Sequence, residues 1–147
     1  MGIEHLVQQK EYTGEGYSPV IDYGQWRVAV LNFHPELLPE NISRFQCHDE
    51  TDEVFVLLSG ECKLYVAEPP SGQPDRIDAI HCIDMQPQQI YNIRRGIYHS
   101  HTPSVDARVL IVENRDTDST NSREITLTPE QREDLRAFSG RGPKDPR

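Results

Sequence analysis

The segment Glu53-Val-Phe-Val-Leu-Leu-Ser-Gly60 limits the possible folds most tightly. Its apolar run is short, ends at a glycine and is rich in β-formers, which predicts a strand. Successive strand side chains point to opposite faces, so Phe55 and Leu57 share the side of Glu53, and Val54, Val56 and Leu58 take the other. A strand that is apolar on both faces has one in a core and the other under a second layer or a partner subunit. Glu53 then heads the inward face, where an unpaired carboxylate is expensive to bury.

By the same parity, Arg44, Gln46 and His48 share one face of a preceding strand. Asp49 to Asp52 are turn formers, and a hairpin reversal there would set His48 opposite Glu53. One imidazole and one carboxylate make two-thirds of the His/His/carboxylate set that holds a divalent metal with open positions. His99 is the leading candidate for the third ligand. His101 shares its parity and is either a replacement or a partner to the site.

The rest of the chain is punctuated at hairpin spacing. Trp26 to Phe33 reads as a strand, stopped at His34-Pro35 because proline lacks a donor and restricts its predecessor. Cys62–Ala67, Ile77–Ile83, Ile90–Ile93, Ile97–His101 and Arg108–Glu113 read as further strands. Thr13-Gly-Glu-Gly16 and Ser18-Pro19 read as loop, residues 3–9 fit a short helix or a strand equally, and residues 69–74 read as a rigid polar loop. Thr128-Pro129-Glu130-Gln131 is a capping box that predicts a C-terminal helix with Leu135 and Phe138 on its apolar stripe. Short strands without alternating helices predict an antiparallel sandwich or barrel, not a βαβ fold.

At 147 residues the prior is one domain. A hydrophobic fraction of 35% suits a thin, two-layer architecture. The net charge of −9 opposes binding to nucleic-acid phosphates or an anionic membrane. Cys47, Cys62 and Cys82 form neither a CxxC motif nor an even disulfide set, which fits a reducing compartment; with no secretory pattern at Met1–Leu6, a cytoplasmic location is expected. Parity turns Cys47 away from His48, so a buried, inert thiol is expected there.

Residues 46–60 resemble the first conserved motif of the cupin superfamily, in which two histidines one residue apart precede a glutamate and then a glycine. His48, Glu53 and Gly60 fall at the matching positions, and Gln46 stands where the first histidine would be. Arg94-Arg-Gly96-Ile-Tyr-His99 is similar to the second motif, with Gly96 and His99 matching and Arg94 in place of a proline. The resemblance covers about residues 26–113. It implies an all-β, double-stranded β-helix (jelly-roll) cupin barrel with a short C-terminal helix. The boundaries expected are an N-terminal arm at 1–25, the barrel at 26–115, an extension with the helix at 116–138 and a disordered tail at 139–147.

Carried over by position, the resemblance implies His48, Glu53 and His99 as ligands to a divalent ion (Mn, Fe, Ni or Zn), with Gln46 in the fourth place. Arg44, Tyr91 and His101 are candidate substrate-binding residues. Arg44 either clamps an anionic group or pairs with Asp49 or Glu50. Tyr91 either lines the cavity or packs. Two functions follow: a metal-dependent activity on a small polar molecule such as a sugar or a hydroxy or keto acid, or a non-catalytic ligand-binding module with weak or no metal. Fold membership does not choose between them. A homodimer is expected, through the face carrying Val54, Val56 and Leu58.

Overall fold

The computed structural model describes residues 2–69 and 76–139. The expected loop at 69–74 and the tail at 139–147 therefore fall largely outside the described residues. Ten strands run in chain order: β1 (Tyr17–Tyr23), β2 (Trp26–Asn32), β3 (Arg44–His48), β4 (Glu53–Ser59), β5 (Cys62–Ala67), β6 (Ile80–Asp84), β7 (Ile90–Ile93), β8 (His99–Pro103), β9 (Arg108–Asn114) and β10 (Ser122–Thr126). Helix α1 (Pro129–Ser139) follows, and two single-turn 3-10 helices, Pro35–Leu37 and Pro39–Asn41, lie between β2 and β3. Residues 3–9 form neither a helix nor a strand, only a turn at 4–6.

The strands build two five-stranded sheets, ordered β1-β2-β9-β4-β7 and β10-β3-β8-β5-β6, with every pairing antiparallel. This is the expected jelly-roll arrangement, as two facing sheets rather than a closed barrel. The parity assigned to β4 holds: Phe55 and Leu57 are buried, and Val54 and Val56 are half-buried on the outer side. Between the sheets, Phe55, Leu57, Leu64, Val109 and Ile111 form the first core. A second core lies on the outer side of the β10-β3-β8-β5-β6 sheet, where Phe45, Cys47, Tyr65 and Tyr98 meet Leu127 and Leu135. Leu135 of α1 is fully buried there, worth about 1.5–3 kcal/mol. The capping box is formed as the sequence predicts: Gln131 N donates to Thr128 Oγ1 at 3.1 Å, and Thr128 N donates to Gln131 Oε1 at 2.9 Å.

Three sequence-based expectations change. β3 and β4 are not a hairpin; they belong to opposite sheets, and Asp49–Asp52 carries the chain across the sandwich. Alternation fixes which face a residue takes but not which strand pairs with which, so the parity is right and the pairing is wrong. Ser18-Pro19 lies within strand β1, inside the segment expected to be an arm. β1 is an edge strand with an irregularity between Pro19 and Ile21, the setting in which a sheet tolerates proline. β10 lies within the expected C-terminal extension and pairs along the whole of β3.

Candidate metal centre and cavity

The crossing segment is fixed from both sides. Asp52 accepts from Arg95 N at 2.9 Å and from Asn92 Nδ2 at 3.0 Å, which anchors it to the β7–β8 turn. Thr51 Oγ1 accepts from Asn114 N at 3.1 Å, and Asp49 pairs with Arg123 through contacts of 2.7 and 2.9 Å. Gly96, the glycine of the second motif, donates its N–H to the His48 carbonyl at 2.7 Å. The two motifs are thus joined through backbone, and their side chains converge where the sheets meet.

His48, Glu53 and His99 form one cluster whose candidate ligand atoms all lie within 4.8 Å of one another. Glu53 Oε1 is 2.9 Å from His99 Nε2 and 3.2 Å from His48 Nε2. All three residues are buried. His99 Nδ1 lies 3.0 Å from the Ile97 carbonyl oxygen, which can only accept, so the ring proton belongs at Nδ1. A neutral His99 then aims a bare lone pair at a carboxylate oxygen. His48 Nδ1 is held by Ser122 Oγ at 2.7 Å, and its Nε2 has no hydrogen-bond partner. Three electron-rich atoms facing one another suit a divalent cation, or one added proton, at their centre. The other ring nitrogen of each histidine is already oriented by hydroxyl or carbonyl, as metal-binding imidazoles usually are.

Glu113 was not singled out in the sequence. It sits on β9 beside Glu53 and is buried. Burial and the neighbouring Glu53 push Glu113 up to about 7. Burial alone would raise Glu53 too; a proton or cation shared with the His48 and His99 nitrogens that face it outweighs burial and holds Glu53 well below the usual carboxylate range. The pair therefore divides its roles, Glu53 ionised and Glu113 able to carry a proton. The Tyr17 phenol donates to Glu113, and burial with Glu113 pushes that phenol's pKa up.

A cavity of about 470 Å³ opens on this cluster, within the range of small-molecule sites. Gln46, His48, Glu53 and His101 line it, as do Tyr17, Glu113 and Ser122. Gln46 sits opposite His99 in the single bridge that joins β3 to β8. His101 lines the wall, and its Nδ1 is buried without a partner. Burial, aided by His99, lowers its pKa to about 4, so it is neutral at physiological pH. Arg44 and Tyr91, expected at the ligand, do not line this cavity. Arg44 is exposed and pairs with Glu124 at 3.4 Å, the partner on β10 that the sequence reading lacked. Tyr91 packs on the first core and accepts from Gln86 N at 2.8 Å. Cys47 is fully buried in the second core, and burial raises its pKa, as its parity predicts.

No helix among the described residues is long and apolar enough to cross a membrane. No protein-family model matches the sequence, and no curated protein matches it. Solved structures do match the fold. Pac13, described as a unique nucleoside dehydratase and also solved from Streptomyces with uridine, superposes with a TM-score of 0.54 at 8% identity, covering 83% of this chain and 88% of its own. The QdtA 3,4-ketoisomerase of Thermoanaerobacterium thermosaccharolyticum, in complex with TDP, gives 0.51 at 18% identity over 66% of this chain and 64% of its own. CapF of Staphylococcus aureus, a capsular polysaccharide assembling protein, gives 0.52 at 16% identity over 80% of this chain and 31% of its own. With two facing jelly-roll sheets and both sequence motifs meeting at one end, this chain has the fold of the cupins.

Proposed function

We propose that this protein holds a divalent metal through His48, Glu53 and His99 and acts on a small hydroxyl-bearing molecule in the adjoining cavity. The observation that carries this reading is the facing of His99 Nε2 and Glu53 Oε1 at 2.9 Å, with the His99 proton already committed to Ile97. When bound, such a metal would polarise a ligand oxygen or activate water. Gln46 is the fourth candidate donor, a neutral amide that weakens the site and tilts it toward oxygen-loving ions. His101 offers a neutral ring nitrogen to a ligand hydroxyl. Glu113 and Tyr17 hold and move a proton on the cavity wall. The uridine and TDP complexes of the similar folds support a sugar-related ligand class.

A second reading is favoured by Gln46 itself. With one imidazole fewer than the motif it resembles, the site would bind ligand with weak or no metal. Metal analysis by mass spectrometry, on the purified protein and a His48→Ala/His99→Ala double variant, separates the two. Near-stoichiometric metal in the parent, lost in the variant, supports the metal-dependent reading. No metal in the parent after reconstitution with Mn, Fe, Ni and Zn refutes it.

The protein also forms a homodimer in this reading, through the outer face of the β1-β2-β9-β4-β7 sheet. Cross-strand registers there align Val30, Leu110, Val56 and Ile90 in one row and Ile21, Val28, Val112 and Val54 in the next. Ile90 and Leu58 are exposed.

A further inference from the structure

We infer that the arm at Ile3–Val7 clasps a second copy of this chain: resting on the homodimer proposed above, its three apolar side chains seat on the outer sheet face of the other protomer, against Leu58 and Ile90 of the partner subunit. Leu6 N and Val7 N both donate to the Ile3 carbonyl, at 2.7 and 3.0 Å, so the segment forms one helical turn. Residues three and four apart lie on one side of such a turn, which puts Ile3, Leu6 and Val7 in a single stripe. They are 60%, 74% and 55% exposed. A lone turn does not sustain itself in water, because nucleation fixes several residues for few hydrogen bonds. Within its own subunit the stripe stays uncovered.

The arm is pinned to the sheet that bears the uncovered apolar rows. Asn32 Nδ2 donates to the Tyr12 and Gly14 carbonyls at 3.0 and 2.9 Å, and Arg108 Nη2 donates to the Tyr12 carbonyl at 2.9 Å. Leu31 and Val109 point into the first core, so their neighbours Asn32 and Arg108, paired across β2 and β9, point outward. Asn32 is nonetheless buried, because the arm lies over it. Traced from Gly14 back to Glu11, which reaches Arg108 at 3.9 Å, the arm passes from β2 to β9 and heads toward β4 and β7. Residues 8–11 then separate Tyr12 from the apolar turn, a reach of up to about 13 Å. From β9 to β7 is two strand spacings, about 10 Å. The turn is therefore carried to the rim of the outer face.

That rim is bare. Leu58 on β4 is 54% exposed, and Ile90, which ends the row of Val30, Leu110 and Val56, is 73% exposed. The arm heads toward these residues of its own sheet without covering them, and they do not cover it. Single exposed aliphatic residues are ordinary, but a stripe on an arm and a row on the face it is pinned to form two contiguous apolar surfaces. A second copy resolves both at once. In a two-fold pair every patch on one subunit meets its counterpart on the other, so two arms and two faces cover one another. An unrelated partner would have to supply both a face for the arm and an arm for the face.

Sedimentation equilibrium of the full chain, of its Ile3→Ser/Leu6→Ser/Val7→Ser variant and of Val56→Asp gives the three dissociation constants. Seating three aliphatic side chains from each arm should make the parent dimer about 100-fold or more tighter than that of the triple variant. The three positions are exposed and belong to neither core, so the triple variant folds as the parent does. A half-filtered NOE measurement on mixed dimers of 13C-labelled and unlabelled chains should show contacts from the Ile3, Leu6 and Val7 methyls to Leu58 and Ile90 of the partner subunit. Contacts within one chain only, or none, overturn the inference whatever the dissociation constants. A dimer that Val56→Asp dissociates and the triple variant leaves intact rules out the clasp and keeps the dimer. A monomeric parent rules out both.

Discussion

Replacing Glu53 by glutamine tests the site at its centre, because the side chain keeps its shape and loses its charge. In the metal reading, Glu53 supplies the only anionic donor of the His48–Glu53–His99 cluster. Loss of an orienting partner one layer out already costs 10–100-fold in metal affinity, so about 100-fold is a conservative figure for Glu53→Gln. With free metal at 100 times the parent's dissociation constant, binding stabilises the parent by about 2.7 kcal/mol. At the same concentration the variant gains RT ln 2, about 0.4 kcal/mol. The difference, about 2.3 kcal/mol, corresponds to roughly 5–9 °C in unfolding temperature for a chain of this size. The assay is paired thermal unfolding of parent and variant, each in EDTA and in added metal, at one protein concentration. The parent should melt several degrees higher with metal, and the variant should hardly respond. If the parent melts at the same temperature in both conditions, the lone pairs are bridged by a proton. Glu53→Gln would then cost about 3–5 kcal/mol in EDTA and metal alike, as expected when a buried ion pair loses one member.

Ser122→Ala removes the hydroxyl 2.7 Å from His48 Nδ1 and should weaken metal binding by about 10–100-fold in chelator competition; unchanged affinity would show that Ser122 does not orient the ring. Gly60 has φ +72°, and a Cβ there would lie 2.6 Å from Ala107 Cα and 2.7 Å from Ala107 N; Gly24 has φ +56° with open space around it. Both alanine variants incur the left-handed penalty of about 1–2 kcal/mol, and Gly60→Ala should add about 1–3 kcal/mol from backbone overlap, measured by urea unfolding. Equal losses at the two positions would refute the close approach of the β4–β5 turn to the β9 entry. Val56→Asp places a charge at the middle of the apolar rows on the outer sheet face and should convert a dimer to a monomer in sedimentation equilibrium while retaining metal; a monomeric parent would end the dimer proposal.

How far the sequence could be read depended on whether a feature is local. Parity along β4 and β3 correctly turned Glu53, Gln46 and His48 inward and Cys47 outward, because alternation belongs to the strand itself. The capping box at Thr128 likewise needed only four residues. Pairing is different. The expected hairpin between β3 and β4 failed because a four-residue connector fits a sheet crossing as well as a reversal. What selects the crossing is distant: Asn92, Arg95, Asn114 and Arg123, each bonded to the connector from another strand or turn. The edge strands escaped notice for a related reason. β1 contains Ser18-Pro19, and β10 reads Ser-Arg-Glu-Ile-Thr, so neither has an apolar signature and each owes its form to the neighbour it pairs with. With those strands went Tyr17 and Ser122, which orient Glu113 and His48.

Glu113 itself left a signal that could have been used. It ends the run Arg108-Val-Leu-Ile-Val-Glu113 with the parity of the buried Val109 and Ile111, as Glu53 begins its own run with the parity of Phe55 and Leu57. An acid on the core face at the end of an apolar strand is costly unless something there receives it. Two such acids, on neighbouring antiparallel strands, must meet at the same end of the sheet, and like charges that close do not both stay ionised. A protonated carboxyl beside an ionised one therefore follows once the β4–β9 register is known. The register, set by Phe55 opposite Ile111, is the one piece that the sequence does not contain in any local stretch.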